Sequence, residues 1–312
     1  MELRRLGRTG LRVSAVGLGT MTWGRDTDEH EAAEQLRIFL DAGGSLVDTA
    51  ATYSDGGALD IIGGLLQNEV HRDDVVLSAR SGVVDGRLDA SRRALLSSLE
   101  ETLRRLGTDH LDVWLVQAPD PGTPVPEVAD TLAHAVSSGK VRYVGLANHA
   151  AWQVAQVATL LEHGVGLACA QTEYSLLNRS AEVELMDAAQ ALGVGVVGWS
   201  PLGRGVLSAK YRHSVPADSR AASPHLRGFV EPYLTAYARS VVEALATAAD
   251  GLSRAPVEVA LAWARDAPVV SSVVVGARTP AQLRGALAAA DLDLPDEIRD
   301  ALDDITQPAG RR

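Results

Sequence analysis

The chain alternates short, nearly all-apolar runs with longer amphipathic ones, and no other feature limits its fold so strongly. The short runs are "VSAVGLGT" (13–20), "SLVDTA" (45–50), "VVLSAR" (75–80), "LDVWLVQA" (111–118), "VRYVGLAN" (141–148), "GLACAQTEY" (166–174), "VGVVGWS" (194–200) and "VSSVVVGA" (270–277). Near-continuous apolar character, rather than strict alternation, is what strands buried on both faces show. Helical patterns occupy 28–42, 58–68, 89–106, 126–138, 150–163, 181–192, 256–267 and 279–289. In "DASRRALLSSLEETLRRLG", leucines at 95, 96, 99, 103 and 106 are spaced for one helical face. Asp89 or Ser91 can cap its start, and Gly107 suits its end. Strands alternating with helices, with no break in composition, predict an α/β fold: one (β/α)8 TIM barrel forming a single domain over 1–312. A doubly wound sheet with a second domain is the alternative at this level.

Two segments lie outside a minimal barrel. The opening "ELRRLGRTGLRVS" reads as a β-hairpin around "RTG" that closes the barrel bottom. Residues 203–235 form a long connection rich in Gly, Ser, Pro and Arg. Connections of that length are usually functional or disordered. There is no internal repeat and no low-complexity tract.

Composition narrows the partners. The 312 residues are 46% hydrophobic and 22% charged, ample for a core, and the formal charge of −11 argues against nucleic acid or an anionic membrane surface. No apolar run approaches a bilayer's thickness, and the start "MELRRLGRTG" lacks the apolar stretch of a signal peptide. The single cysteine, Cys169, cannot form an internal disulfide and reads as buried packing. These features lead us to expect a cytoplasmic protein. Lys140 and Lys210 are the only lysines, so positive charge is almost all arginine, as a GC-rich genome would produce.

In a barrel of this kind the site sits at the C-terminal ends of the strands. Those ends carry Asp48 with Tyr53, Arg80, Gln117, Asn148, Gln171, Trp199 with Ser200, and Gly276 to Arg278. Each alone is an ordinary polar residue meeting water. Together they set an acid, a phenol, a cation and several amides around one mouth. Arg80 stands out, because an apolar strand that ends on a permanent charge needs a partner for it.

"VDTAATY" resembles the Asp-Thr-Ala-x-x-Tyr signature of the aldo-keto reductases. "GLGTMTWG", "VRYVGLANH", "QTEYSLLNR", "GWSPLGRGVLSAKY" and "VVVGARTPAQL" resemble further blocks of that family, in the family's order from about residue 2 to 290. The resemblance implies a metal-free barrel that transfers hydride reversibly between NADPH and small carbonyl compounds. The family's tetrad is Asp, Tyr, Lys and His. Asp48 and Tyr53 match its first two members, whereas Arg80 stands at the lysine position and Gln117 at the histidine position. A guanidinium can ease ionisation of Tyr53 but takes no part in a proton relay, and an amide donates a hydrogen bond but carries no proton. Relatives such as the potassium-channel β subunits have an amide at the histidine position, and the enone-reducing steroid reductases have a carboxylic acid there.

For the cofactor, NADP(H), the resemblance implies contacts from Thr20, Met21, Asp48, Asn148, Gln171, Trp199, Ser200, Pro201, Leu202, Arg204, Gly276, Arg278 and Gln282. Trp199 takes the place of the family's ring-stacking Tyr. Ala147 and Ala286 replace a Ser and an Asn. Trp23 matches a residue near the substrate pocket, and His149 is either a substitute acid or a surface-loop residue. The expected reaction is reduction of a carbonyl or conjugated carbonyl, with Tyr53 as proton donor. A non-redox elimination or isomerisation on the same barrel, and a nicotinamide-sensing, partner-binding protein of little turnover, are the competing readings. A plain structural Asp48–Arg80 ion pair is the competing reading of the cluster itself.

Overall fold

The computed structural model describes residues 1–217 and 219–307; Asp218 and the end of the expected domain, 308–312, lie outside the described residues. The chain opens with β1 (Leu3–Arg5) and β2 (Arg12–Ser14), an antiparallel hairpin. The barrel strands are β3 (Val16–Gly19), β4 (Leu46–Ala50), β5 (Val76–Ser81), β8 (Leu111–Val116), β9 (Val141–Ala147), β10 (Cys169–Glu173), β11 (Gly195–Trp199) and β12 (Val270–Val275). They close in the order β10-β11-β12-β3-β4-β5-β8-β9, every pairing parallel. A two-stranded ribbon, β6 (Val83–Val84) with β7 (Arg87–Leu88), follows β5 at the mouth. The barrel is the one predicted from the apolar runs.

The layering explains why those runs lack alternation. One apolar cluster fills the barrel interior, with Leu46, Val113, Leu115, Cys169, Val197 and Val274. A larger one lies between the strands and the surrounding helices. Each strand therefore buries both faces. Leu6 and Val13 of the opening hairpin belong to the inner cluster and plug the barrel bottom. Its turn closes onto the N-terminal end of β11, where Arg8 N–H donates to the Gly193 carbonyl at 2.8 Å. Gly7, at φ +60°, leaves no room for a side chain: a Cβ would lie 2.6 Å from the Gly193 oxygen and 2.7 Å from the Ala168 oxygen.

The helices are α1 (Glu29–Asp41), α2 (Gly57–Asn68), α3 (Arg92–Leu106), α4 (Val125–Ser137), α5 (Ala151–Leu161), α6 (Leu185–Leu192), α7 (Arg227–Val230), α8 (Ala236–Gly251), α9 (Pro256–Arg265), α10 (Pro280–Leu287) and α11 (Asp296–Ile305). In α3 the Ser91 hydroxyl accepts from Ala94 N–H, and Gly107 ends the helix in the left-handed conformation. Helices α7, α8 and α11 are additions to the pattern read from the sequence. Among the described residues no helix is long and apolar enough to cross a membrane.

Candidate active site

The loops after the strands hold unusual backbone. Ser54 and Asp55 after β4, Asn148 after β9, and Ser200 and Arg204 after β11 all have φ between 51° and 60° without being glycine. Such conformations cost energy and persist where the surroundings fix them, commonly at functional sites. Around them opens a cleft of about 510 Å³, with Asp48, Tyr53, Arg80, Gln117, Asn148 and Trp199 at its barrel end.

Asp48, Arg80, Gln171 and Tyr53 form one hydrogen-bonded group. Arg80 donates through Nη2 to the Tyr53 hydroxyl and through Nη1 to Gln171 Oε1. Its Nη2 also lies 3.3 Å from Asp48 Oδ2, with both side chains buried. Asp48 Oδ1 accepts from Gln171 Nε2 at 2.8 Å and from the Ser78 hydroxyl at 3.2 Å. Burial opposes the charge on Arg80, but Asp48 and Tyr53 outweigh it and hold its pKa above the ordinary arginine value. Tyr53 is raised by burial first; Arg80 pulls it down, yet the net shift is upward. The sequence-based expectation that Arg80 lowers this pKa is thus right in sign for the pair and outweighed for the group. The phenol stays protonated at neutral pH. Its hydroxyl already accepts from Arg80, so its own proton is what it can offer to the cleft.

The amides divide into three situations. Gln117 lines the cleft, and its buried Oε1 has no hydrogen-bond partner among the described residues. Asn148 donates to the Gln117 carbonyl oxygen at 2.9 Å and accepts from the indole N–H of Trp199 at 2.9 Å. Gln171 lies behind the wall, engaged with Asp48 and Arg80. Asn148 and Gln171 each keep further hydrogen-bonding capacity, since a primary amide has two donors and two lone pairs.

The cleft also carries several cations on its wall. Met21, Ser200, Pro201, Leu202, Arg204, Gly276, Arg278 and Gln282 all line it. Thr20 does not: it is fully buried, its hydroxyl bonded to the Asp48 carbonyl at 3.1 Å. Arg204 is paired in bidentate fashion with Glu173 at 2.8 Å and lies over the rings of Phe229, Tyr233 and Trp199. Arg278 stands just before α10, whose cap is the Thr279 hydroxyl, and its N–H is held by Gln282 Oε1 at 3.0 Å.

Reading strand ends missed several wall residues. Lys210, Arg220 and Phe229 arrive from the long connection, and Val257 and Glu258 from α9. Arg220 donates to the Gly276 carbonyl at 3.3 Å, and burial, then repulsion from Arg278, push its pKa down. The signal available for it was the arginine content of 203–235. Trp23, expected near the substrate, is instead fully buried, with its N–H on Gln35 Oε1 at 3.2 Å. His149 does not line the cleft; its Nδ1 bonds the Ala147 carbonyl at 2.8 Å, and burial lowers its pKa. Cys169 is buried as expected, and burial, with Asp48 nearby, pushes its thiol up to about 12.

The fold is a closed (β/α)8 barrel with a polar group at its C-terminal mouth, and comparison with known proteins makes it the barrel of an oxidoreductase. The model of the aldo/keto reductase family matches residues 15–307. The chain is 37% identical over 320 residues to the uncharacterized oxidoreductase YrpG of Bacillus subtilis (strain 168), covering 98% of this chain and 96% of that one. It is 32% identical over 324 residues to a protein of Oryza sativa subsp. japonica named as a probable voltage-gated potassium channel subunit beta, covering 100% and 98%. It is 32% identical over 296 residues to the L-glyceraldehyde 3-phosphate reductase of Escherichia coli (strain K12), covering 91% and 86%. The chain belongs to the aldo/keto reductase family.

Proposed function

We propose that this protein is an NADP(H)-dependent reductase of a small carbonyl or conjugated carbonyl compound. The observation that carries this reading is the hydrogen bond from Arg80 to the Tyr53 hydroxyl, with Asp48 beside the guanidinium. Family membership and a relative named as a reductase support it.

The cleft has the donor set a dinucleotide needs. Two guanidinium groups on the cleft wall, Arg220 and Arg278, suit phosphate oxygens. Trp199 offers a flat indole face, and Asn148, on the cleft wall, retains a donor for an amide, whereas Gln171 lies behind that wall. When bound, the reduced nicotinamide supplies hydride to the carbonyl compound. Charge then develops on the substrate oxygen, and Tyr53 supplies the proton that meets it. Arg80 stabilises the phenolate left behind, Asp48 orients Arg80, and Gln117 donates its amide N–H to the same substrate oxygen. Because Arg80 and Gln117 carry no transferable proton at neutral pH, Tyr53 is the sole acid of the group. The negative net charge and the single buried cysteine support a cytoplasmic setting.

Single-turnover mixing of NADPH-loaded protein with aldehydes, ketones and enones tests the reading. Stoichiometric loss of NADPH absorbance with one of them is expected. Unchanged NADPH with product formed would instead establish non-redox chemistry. A stable protein partner with no turnover on any substrate would favour the sensing, partner-binding role.

A further inference from the structure

Gln171 occupies an unusual place in the barrel. Its strand, β10, lies four positions from β4 in the closed order of eight, so it faces Asp48 from directly across the mouth. The Gln171 side chain bridges that gap: Nε2 donates to Asp48 Oδ1 at 2.8 Å, and Oε1 accepts from Arg80 Nη1. The residue is 1% exposed, so these bonds form away from bulk water, where a polar group needs its partners.

The bridge matters because residue 80 is an arginine. A lysine ammonium is a point charge with rotating donors, and one carboxylate suffices to aim it. A guanidinium is a plane, and turning it moves each donor to a different place. Arg80 Nη2 is shared between the Tyr53 hydroxyl and Asp48, while Nη1 has Gln171 alone among the described residues. Removing Gln171 would leave Nη1 without a partner and free the plane to rotate.

We propose that Gln171 is a positioning residue, whose amide spans the barrel mouth from Asp48 to Arg80 and fixes the guanidinium edge facing the Tyr53 hydroxyl. This rests on the reading of Tyr53 as the proton donor, and it differs from a role confined to holding the cofactor. Gln171 acts through Arg80, so its effect depends on which side chain occupies position 80.

The test uses Gln171→Met, similar in length but without a hydrogen-bonding amide, and Gln171→Glu, which keeps an acceptor for Arg80. Each is made alone and together with Arg80→Lys, in the full-length protein, with folding checked by circular dichroism. Two quantities are read: the ionisation of Tyr53 by phenolate absorbance, assigned by subtracting the Tyr53→Phe protein, and kcat with NADPH. Gln171→Met is expected to move Tyr53 ionisation to higher pH and to lower kcat on the order of tenfold to a hundredfold, with little change in NADP⁺ affinity. Gln171→Glu is expected to lose less than Gln171→Met, and the Gln171→Met loss is expected to shrink when Arg80→Lys is present. Equal losses in both backgrounds, or Tyr53 ionisation unmoved by either substitution, overturn the proposal. Absence of any turnover in the wild type would overturn the reductase reading, while the Tyr53 titration would still decide the positioning role.

Discussion

The indole N–H of Trp199 donates to Asn148 Oδ1 at 2.9 Å, which ties the ring at the end of β11 to the loop after β9. One bond thus fixes the orientation of the largest flat surface on the cleft wall. Trp23, Trp114 and Trp263 are buried elsewhere and Trp152 is 63% exposed, so Trp199 is the tryptophan placed to sense a ligand there. Adding NADP⁺ should quench tryptophan fluorescence, and Trp199→Leu should remove most of that quenching. Undiminished quenching in the substituted protein would leave Trp199 as packing.

Arg278 precedes α10 on the cleft wall, close enough to Arg220 to depress that group's pKa. An anion between two such cations gains from both. Arg278→Ala should therefore weaken NADP(H) far more than NAD(H). The loss of one charge-assisted phosphate contact is about 1.5–3 kcal/mol, or roughly ten- to a hundredfold in affinity. Fluorescence titration with both dinucleotides measures it. An equal drop for the two would mean that the 2′-phosphate binds elsewhere.

Gly7 sits where the hairpin turn meets the barrel bottom. A Cβ there would overlap backbone atoms of Ala168, Gly193 and Gly195, none of which can rotate aside, and the residue's φ is +60°. Gly7→Ala should destabilise the protein by about 1–3 kcal/mol through overpacking and backbone strain. Denaturant unfolding would show it as a lower midpoint with an unchanged slope. A midpoint equal to wild type would mean that the hairpin does not close the barrel as tightly as its contacts indicate.

The barrel was legible because burial on both faces removes alternation from a strand, and every barrel run in this chain shows that. Helix α8 was not assigned, since a barrel reading seeks one helix per strand and the long connection ahead of α8 obscured its start. At the site, Asp48, Arg80, Gln117, Asn148 and Trp199 could be read as strand-end residues before any contact was known. Lys210, Arg220 and Phe229 could not, because their place depends on how 203–235 folds back over the mouth. Trp23 shows the converse: its position in the first loop suggested the pocket, but Gln35 of α1 offers an acceptor that draws the indole into the core.

The central claim is that Arg80 is the cation serving Tyr53, and turnover of Arg80→Met compared with Tyr53→Phe tests it most directly. Methionine keeps much of the aliphatic stem and deletes the charge. Asp48 then lacks its partner, and burial together with the Asp48 charge, both of which disfavour the phenolate, sets the ionisation of Tyr53. Because Arg80 pulls that pKa down, its removal should move phenolate formation to still higher pH. The account predicts a fall in kcat with NADPH comparable to that of Tyr53→Phe, and a double substitution little worse than either, since the two residues act as a unit. Arg80→Lys should retain activity on simple aldehydes. Should Arg80→Met match the wild type on every aldehyde, ketone and enone that turns over, Arg80 is only a structural ion-pair partner of Asp48, and the proposed chemistry fails.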